Sequence, residues 1–274
     1  MPNSSTSPIG IFDSGVGGIS VLGAIREQMP EESLIYFGDQ AHVPYGSRSP
    51  KQIQNFSEAI TLFLLDQNAK LIVVACNTAS AAALQYLRQR FPDVQFVGME
   101  PAVKPAAEHT QTGKVGVLAT PATFQGALYA SVVDRFANET ELFQNTCPGL
   151  VQQIERGNLN GRETHRILEH ALLPMLEKNV DTVVLGCTHY SFVIPLIQEI
   201  VGANVRVIDP APAIAKQTGR LLEARGMKNN SEAVATVRFH TSGDPNALKS
   251  LLPMLFGEIG EVRKVEWLDD LTIR

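Results

Sequence analysis

The sequence predicts an α/β protein of two similar doubly wound domains, each with a mainly parallel sheet flanked by helices. Three observations carry that expectation. Buried-strand patterns alternate with helical ones along the chain, as they do where helices cover both faces of a parallel sheet. Two apolar runs, residues 71–78 and 182–189, finish alike, each with a cysteine (Cys76, Cys187) followed by small polar residues. Gly10-Ile-Phe-Asp-Ser14 and Gly116-Val-Leu-Ala-Thr120 also break from a short strand into small polar residues, at nearly the same offset as the two cysteines. Two landmarks at nearly equal offset are what a pseudo-repeat of two domains gives.

Taken in order, strands are expected at residues 9–12, 34–37, 71–75, 95–97, 114–119, 182–186, 205–208 and 236–239. Each is a short apolar, β-branched run bounded by turn residues, too short for a helix and continuous enough to be buried on both faces. Amphipathic stretches at 50–67, 79–90, 161–178 and 211–225 read as helices. Pro101 and Pro105, with Met99 and Glu100, read as a crossover to a second domain, and Asp209-Pro-Ala-Pro212 as the return. The loop Gly226-Met-Lys-Asn-Asn230, a strand and a helix then rejoin the first domain. The expected domains are residues 1–98 with 210–274, and residues 99–209.

At 274 residues, 44% hydrophobic and 19% charged, the composition is that of an ordinary globular enzyme. A net charge of −5 argues against a nucleic acid or an anionic membrane as the main partner. No apolar run approaches the roughly 18–20 residues that span a bilayer. The opening eight residues lack the charged and apolar regions of a signal peptide and read as a short disordered tail. Three cysteines cannot all pair with one another, so free thiols in a reducing cytoplasm are expected.

Cys76 and Cys187 each fall at the carboxyl end of a strand and near the amino end of a helix. Ligands gather there in α/β sheets, and the helix dipole favours a thiolate. A lone buried cysteine is commonly a small core hydrophobe; Cys147, before Pro148 and without a matching partner, is read that way. Asp13-Ser14-Gly15-Val16-Gly17-Gly18 invites a dinucleotide reading with Asp39 as the ribose acid, but the third glycine of that fingerprint falls at Ser20 and Asp13 sets a carboxylate where a pyrophosphate would lie. A thiol hydrolase would need one cysteine with a histidine such as His189 or His42, and leaves the second matching cysteine unexplained. Two opposed thiols suit the removal of a proton from one face of a carbon and its return to the other. Asp13 stands in the same domain as Cys76 and His189 two residues after Cys187, so each thiol has a candidate helper. Ser14, Asn77, Thr78 and Thr188 are donors at helix amino ends that could hold carboxylates or cap their helices. No metal-ligand spacing of cysteine and histidine is present in the sequence.

At these residues the chain resembles the glutamate racemases of the aspartate/glutamate racemase superfamily. The matching segments are Gly10-Ile-Phe-Asp13-Ser14-Gly15-Val-Gly-Gly18, Tyr36-Phe-Gly-Asp39 with Pro44-Tyr45-Gly46, Ala75-Cys76-Asn77-Thr78-Ala79, Gly186-Cys187-Thr188-His189-Tyr190, and Asp209-Pro210. The resemblance implies glutamate as the small-molecule substrate, held in the cleft between two α/β domains, and no cofactor or metal. It implies that Cys76 acts on the D-isomer and Cys187 on the L-isomer, with Asp13 assisting the first, His189 the second, and Glu155 a further candidate. Ser14, Pro44, Tyr45, Gly46, Asn77, Thr78, Thr120 and Thr188 would line the pocket. The product, D-glutamate, would supply peptidoglycan synthesis and so cell shape. Ala119-Thr120 stands where the family usually has Gly-Thr, and Gly126 replaces a serine; these bear on local packing and on a pocket hydrogen bond, not on the thiols. Some relatives carry a longer amino-terminal extension linked to activation by a cell-wall precursor, a control not expected here. The alternatives are an aspartate racemase, whose substrate is one methylene shorter, and a non-catalytic amino-acid-binding protein. A homodimer is expected as the commonest soluble assembly.

Overall fold

The computed structural model describes residues 4–100, 102–136, 140–231, 234–269 and 271–274. The first three residues of the expected tail and Pro101 of the expected crossover lie outside the described residues.

The chain begins with strand β1 (Ile9–Asp13), helix α1 (Ile19–Gln28), β2 (Leu34–Gly38), α2 (Pro50–Asp66), β3 (Leu71–Val74), α3 (Asn77–Arg90) and β4 (Phe96–Gly98). It continues with α4 (Val103–His109), β5 (Lys114–Ala119), α5 (Pro121–Gln125), α6 (Ala127–Phe136), β6 (Glu141–Asn145), α7 (Leu150–Glu155), α8 (Arg162–Glu177), β7 (Thr182–Gly186), α9 (Ile194–Val201) and β8 (Arg206–Ile208). It closes with α10 (Ala211–Ala224), β9 (Val237–Thr241), α11 (Pro245–Leu255), β10 (Val262–Lys264), β11 (Trp267–Asp269) and β12 (Thr272–Ile273). Two compact units result: Met1–Met99 with Ala211–Arg274, and Glu100–Pro210.

In the first unit the described residues form a sheet in the order β10-β9-β2-β1-β3-β4, every pairing parallel. In the second unit they form a parallel sheet in the order β6-β5-β7-β8. The sequence β2-β1-β3-β4 of the first sheet thus recurs in the second. In both, the chain winds one way from the first strand and then the other, which opens a switch point at the carboxyl ends of β1 and β3, and of β5 and β7.

The central strands β1, β2, β3 and β7 are buried along their whole length, which is why their sequences are continuous apolar runs. Helix α2 starts at a capping box, where Ser49 Oγ accepts from the Gln52 N–H at 3.3 Å and Gln52 Oε1 accepts from the Ser49 N–H at 3.1 Å. In the first unit Phe12, Phe37, Phe56, Ile60, Val74 and Cys76 belong to one apolar cluster; in the second, Val103, Val117, Ala119, Tyr129 and Val184 do.

The differences from the expected elements are local. Strand β1 runs one residue further, so Asp13 is its last residue, and β3 stops at Val74. Helix α3 starts at Asn77 instead of Ala79 because Cys76 is itself the cap. The segment after Cys187 is a 3-10 turn, Thr188–Val193, so α9 begins well after the cysteine. Strands β6 and β10 and the hairpin β11–β12 were not expected; all are short and partly exposed.

Candidate active site

Each unit presents its own group of residues at its switch point. In the first, Phe12 pairs with Val74, and two residues beyond that pair stand Ser14 and Cys76, with the Cys76 thiol 3.8 Å from Ser14 Oγ. Cys76 caps α3, its sulfur accepting from the Ala79 N–H at 3.4 Å. A helix amino end stabilises negative charge on such a sulfur. Ser14, Asn77 and Thr78 are buried beside it. Both polar atoms of the Asn77 amide are buried and have no hydrogen-bond partner among the described residues. An amide left so costs free energy unless something else supplies partners.

Asp13 is fully buried at the end of β1, and its Oδ2 accepts from the Gly18 N–H at 2.9 Å. That amide opens α1, where a dinucleotide pyrophosphate would need to bind, so the acid itself fills the anion position of the Gly-rich turn. A side chain at Gly18 would put its Cβ 2.7 Å from Asp13 Cβ, which is why glycine closes this turn. The turn is held from the other side by the Tyr36 hydroxyl, which donates to the Gly15 carbonyl at 2.6 Å.

Pro44 precedes a 3-10 turn, Tyr45–Ser47, and follows a cis peptide bond. Tyr45 is buried in the same apolar cluster as Cys76. Burial pushes its phenol well above the usual range, helped by the Asp39 carboxylate and, further off, by Cys76 and Asp13. His42 is engaged by other partners: its Nδ1 lies 3.0 Å from Asp39 Oδ2, and its ring stacks on Phe56 at 4.0 Å.

In the second unit Ala119 pairs with Gly186, and Thr120 and Cys187 are the residues that follow β5 and β7. A Cβ at Gly186 would lie 2.7 Å from that of Ala119, so the glycine makes room for the alanine that departs from the family pattern. Thr120 caps α5 by accepting from the Thr123 N–H at 3.4 Å. Gly126 lies between α5 and α6 in an extended conformation.

Cys187 Sγ lies 3.8 Å from His189 Nδ1, and His189 Nε2 lies 2.6 Å from Glu155 Oε1. Burial works against a charge on His189, but its contacts with Cys187 and Glu155 outweigh it and raise the imidazole well above its ordinary range. The 3-10 turn puts both His189 and Tyr190 inside the unit. The Tyr190 hydroxyl donates to the Thr146 carbonyl at 3.2 Å, tying the turn to the segment that leads into Glu155. The helix-end argument therefore applies to Cys76, whereas Cys187 is served by an imidazole and a carboxylate.

Cys147 is buried, and its thiol is pushed up to about 12 by burial and by the neighbouring Cys187; it stays a neutral thiol. The three cysteines are free. Among the described residues there is no group of three or more histidine, cysteine, aspartate or glutamate side chains placed to hold a metal ion. No helix among them is long and apolar enough to cross a membrane. Sequence reasoning gave no working role to Asp39, Ser242 or Trp267, whose hydrogen bonds converge beside Tyr45. The available signal was an acid at a strand's carboxyl end, the setting that flagged Asp13.

The likeness to known proteins covers almost the whole chain. A glutamate racemase of Pseudomonas aeruginosa is 50% identical over 260 residues, covering 95% of this chain and 98% of that protein. The structure of glutamate racemase from Francisella tularensis in complex with D-glutamate superposes with a TM-score of 0.83 at 31% identity, covering 97% of this chain and 99% of that one. That of Escherichia coli glutamate racemase, in complex with L-glutamate and the activator UDP-MurNAc-Ala, gives 0.82 at 34% identity over 94% and 97% of the two chains. With its residues 18–218 matching the profile of the Asp/Glu/Hydantoin racemases, the chain belongs to that family.

Proposed function

We infer that the protein is an isomerase that interconverts L- and D-glutamate without a cofactor, each unit contributing one cysteine to proton transfer at the α-carbon. The observation that carries this reading is the repetition: a cysteine at the same point of the same strand order, each with its own polar neighbours. The substrate is taken from the relatives, of which one is known with D-glutamate and another with L-glutamate bound.

In the L-to-D direction the Cys187 thiolate removes the α-hydrogen, the electron pair moves toward the carboxylate, and the Cys76 thiol delivers its hydrogen to the opposite face. The product leaves Cys187 as thiol and Cys76 as thiolate, and proton exchange with water restores the starting form. Protonated His189 stabilises the Cys187 thiolate and, in the D-to-L direction, returns a proton to the sulfur after the Cys187 thiol has delivered its hydrogen, with Glu155 fixing the imidazole through Nε2. Asp13 assists Cys76. Ser14, Asn77, Thr78, Thr120, Thr188 and the Pro44-Tyr45-Gly46 turn hold the substrate, and the unsatisfied Asn77 amide supports this, since an α-carboxylate and ammonium supply the acceptor and donor it lacks. In the same reading the protein is a cytoplasmic homodimer whose D-glutamate feeds peptidoglycan synthesis.

Cys187, His189 and Glu155 also have the form of a hydrolytic thiol triad, so the test must separate the two chemistries. In D2O with L-glutamate and no added cofactor, NMR should show loss of the α-proton while optical rotation decays to zero. Cys187→Ala should abolish racemisation, by about a thousandfold or more, yet still wash out the α-proton of D-glutamate; Cys76→Ala should do the converse. An unchanged α-proton with both glutamate and aspartate would sink the reading.

A further inference from the structure

We propose that Trp267, acting through Asp39, is a positioning residue for the Pro44-Tyr45-Gly46 turn, which makes the carboxyl-terminal hairpin part of the substrate site. This rests on the reading that the turn lines the glutamate pocket.

Asp39 follows β2 and is wholly buried. Its Oδ2 accepts from the Tyr45 hydroxyl at 2.6 Å and lies 3.0 Å from His42 Nδ1. Its Oδ1 accepts from the Ser242 hydroxyl at 2.6 Å and from the Trp267 indole N–H at 2.8 Å. These partners come from three separate parts of the chain: the loop after β2, the end of β9, and β11. A carboxylate offers about four acceptor sites, so this one is filled by side chains alone.

With its hydroxyl turned onto Asp39, Tyr45 offers a ligand only its backbone and ring face, and the path of that backbone is fixed by whatever holds Asp39. Trp267 holds it from the far side. Its ring packs edge-on against His42 at 5.0 Å and Phe56 at 5.4 Å between centroids. Trp267 and Ile273 pack on the apolar cluster that contains Tyr45, Phe56 and Cys76. The Asp39 N–H donates to the Asp13 carbonyl at 2.9 Å, so the same residue is also anchored to the strand end that carries Asp13. A buried carboxylate is a costly fastener, and apolar packing alone would hold a hairpin more cheaply. What the carboxylate adds is direction: its fixed oxygens set the turn in one register beside Cys76.

Trp267→Phe keeps a ring in place and removes the indole donor. Because the turn binds substrate and transition state alike, the expected effect is a rise of about tenfold in KM for both enantiomers, with kcat within about twofold of wild type. Ser242→Ala, which removes a second donor to the same oxygen, should raise KM in the same direction with native thermal stability, and carries the test if the Trp267 variant does not fold. Unchanged KM in the folded variants, or a loss confined to kcat and melting temperature, overturns the inference while leaving the glutamate reading intact. A wild-type protein that does not turn over glutamate overturns both.

Discussion

His189 stands between a thiol and a carboxylate, and its protonation is the residue-scale variable most open to test. Glu155 helps hold the imidazole above its ordinary range, so Glu155→Gln should lower the His189 pKa relative to wild type. If protonated His189 serves Cys187, kcat/KM falls as pH rises through the His189 pKa, and in the variant that alkaline limb moves to lower pH. At neutral pH the loss should be about ten- to a hundredfold, less than the roughly 10²–10⁴-fold of a positioned acid–base group itself, because Glu155 acts through His189. It must be the same factor for L- and D-glutamate, because enantiomers have equal free energy and the equilibrium constant stays at one in any variant. Stability follows the same sign: a histidine raised in the folded state stabilises fully below its unfolded pKa, and that contribution is lost as pH rises through its folded pKa. The gap in melting temperature between wild type and Glu155→Gln should therefore be widest on the acid side and close toward alkaline pH. An alkaline limb that stays in place would remove Glu155 from the mechanism.

The strands are held at their amino ends by a buried ion pair remote from the site residues. Lys70, just before β3, donates to Glu32 Oε2 and to the Ser5 carbonyl, both at 2.5 Å, and Glu32 Oε1 accepts from the Asn229 N–H at 2.8 Å. Both side chains are fully buried. Lys70→Met should cost about 3–5 kcal/mol in urea unfolding, because it strands a buried carboxylate, and adding Glu32→Gln should recover much of that. Such long-range pairs mark the limit of what the sequence displays. The central strands were legible because burial on both faces writes a continuous apolar run, and a cysteine or acid at the end of such a run is conspicuous. Strand β6, Glu141-Leu-Phe-Gln-Asn145, is a partly exposed edge and carries neither a run nor an alternation. Glu155 was reached only through the family likeness, since no spacing ties it to His189. The bonds from Ser242 and Trp267 to Asp39 span 203 and 228 residues, a separation at which no local pattern survives.

Both units repeat one strand order, but they differ in continuity. The second unit is one uninterrupted segment, whereas the first is completed only by residues beyond Pro210. Strand β2 pairs with β9 along its length, Leu34 with Val237 through Gly38 with Thr241. A chain ending at residue 210 should therefore keep protected amides in β5 and β7 by hydrogen exchange, while the β2 amides that face β9 lose their protection and the protein aggregates through the bare edge. Equal protection of β2 in that truncated chain would contradict the pairing as the source of its stability. The pairing has a further consequence for the newborn polypeptide. A ribosome adds about 5–20 residues per second, so β9 emerges on the order of ten seconds after β1 to β4 of its sheet. Over that interval the apolar strand Leu34–Gly38 waits without one of its two neighbours and is a natural client for a chaperone. Cys187 can meet His189 and Glu155 during synthesis, and Cys76 gains a finished sheet only when the last tenth of the chain arrives.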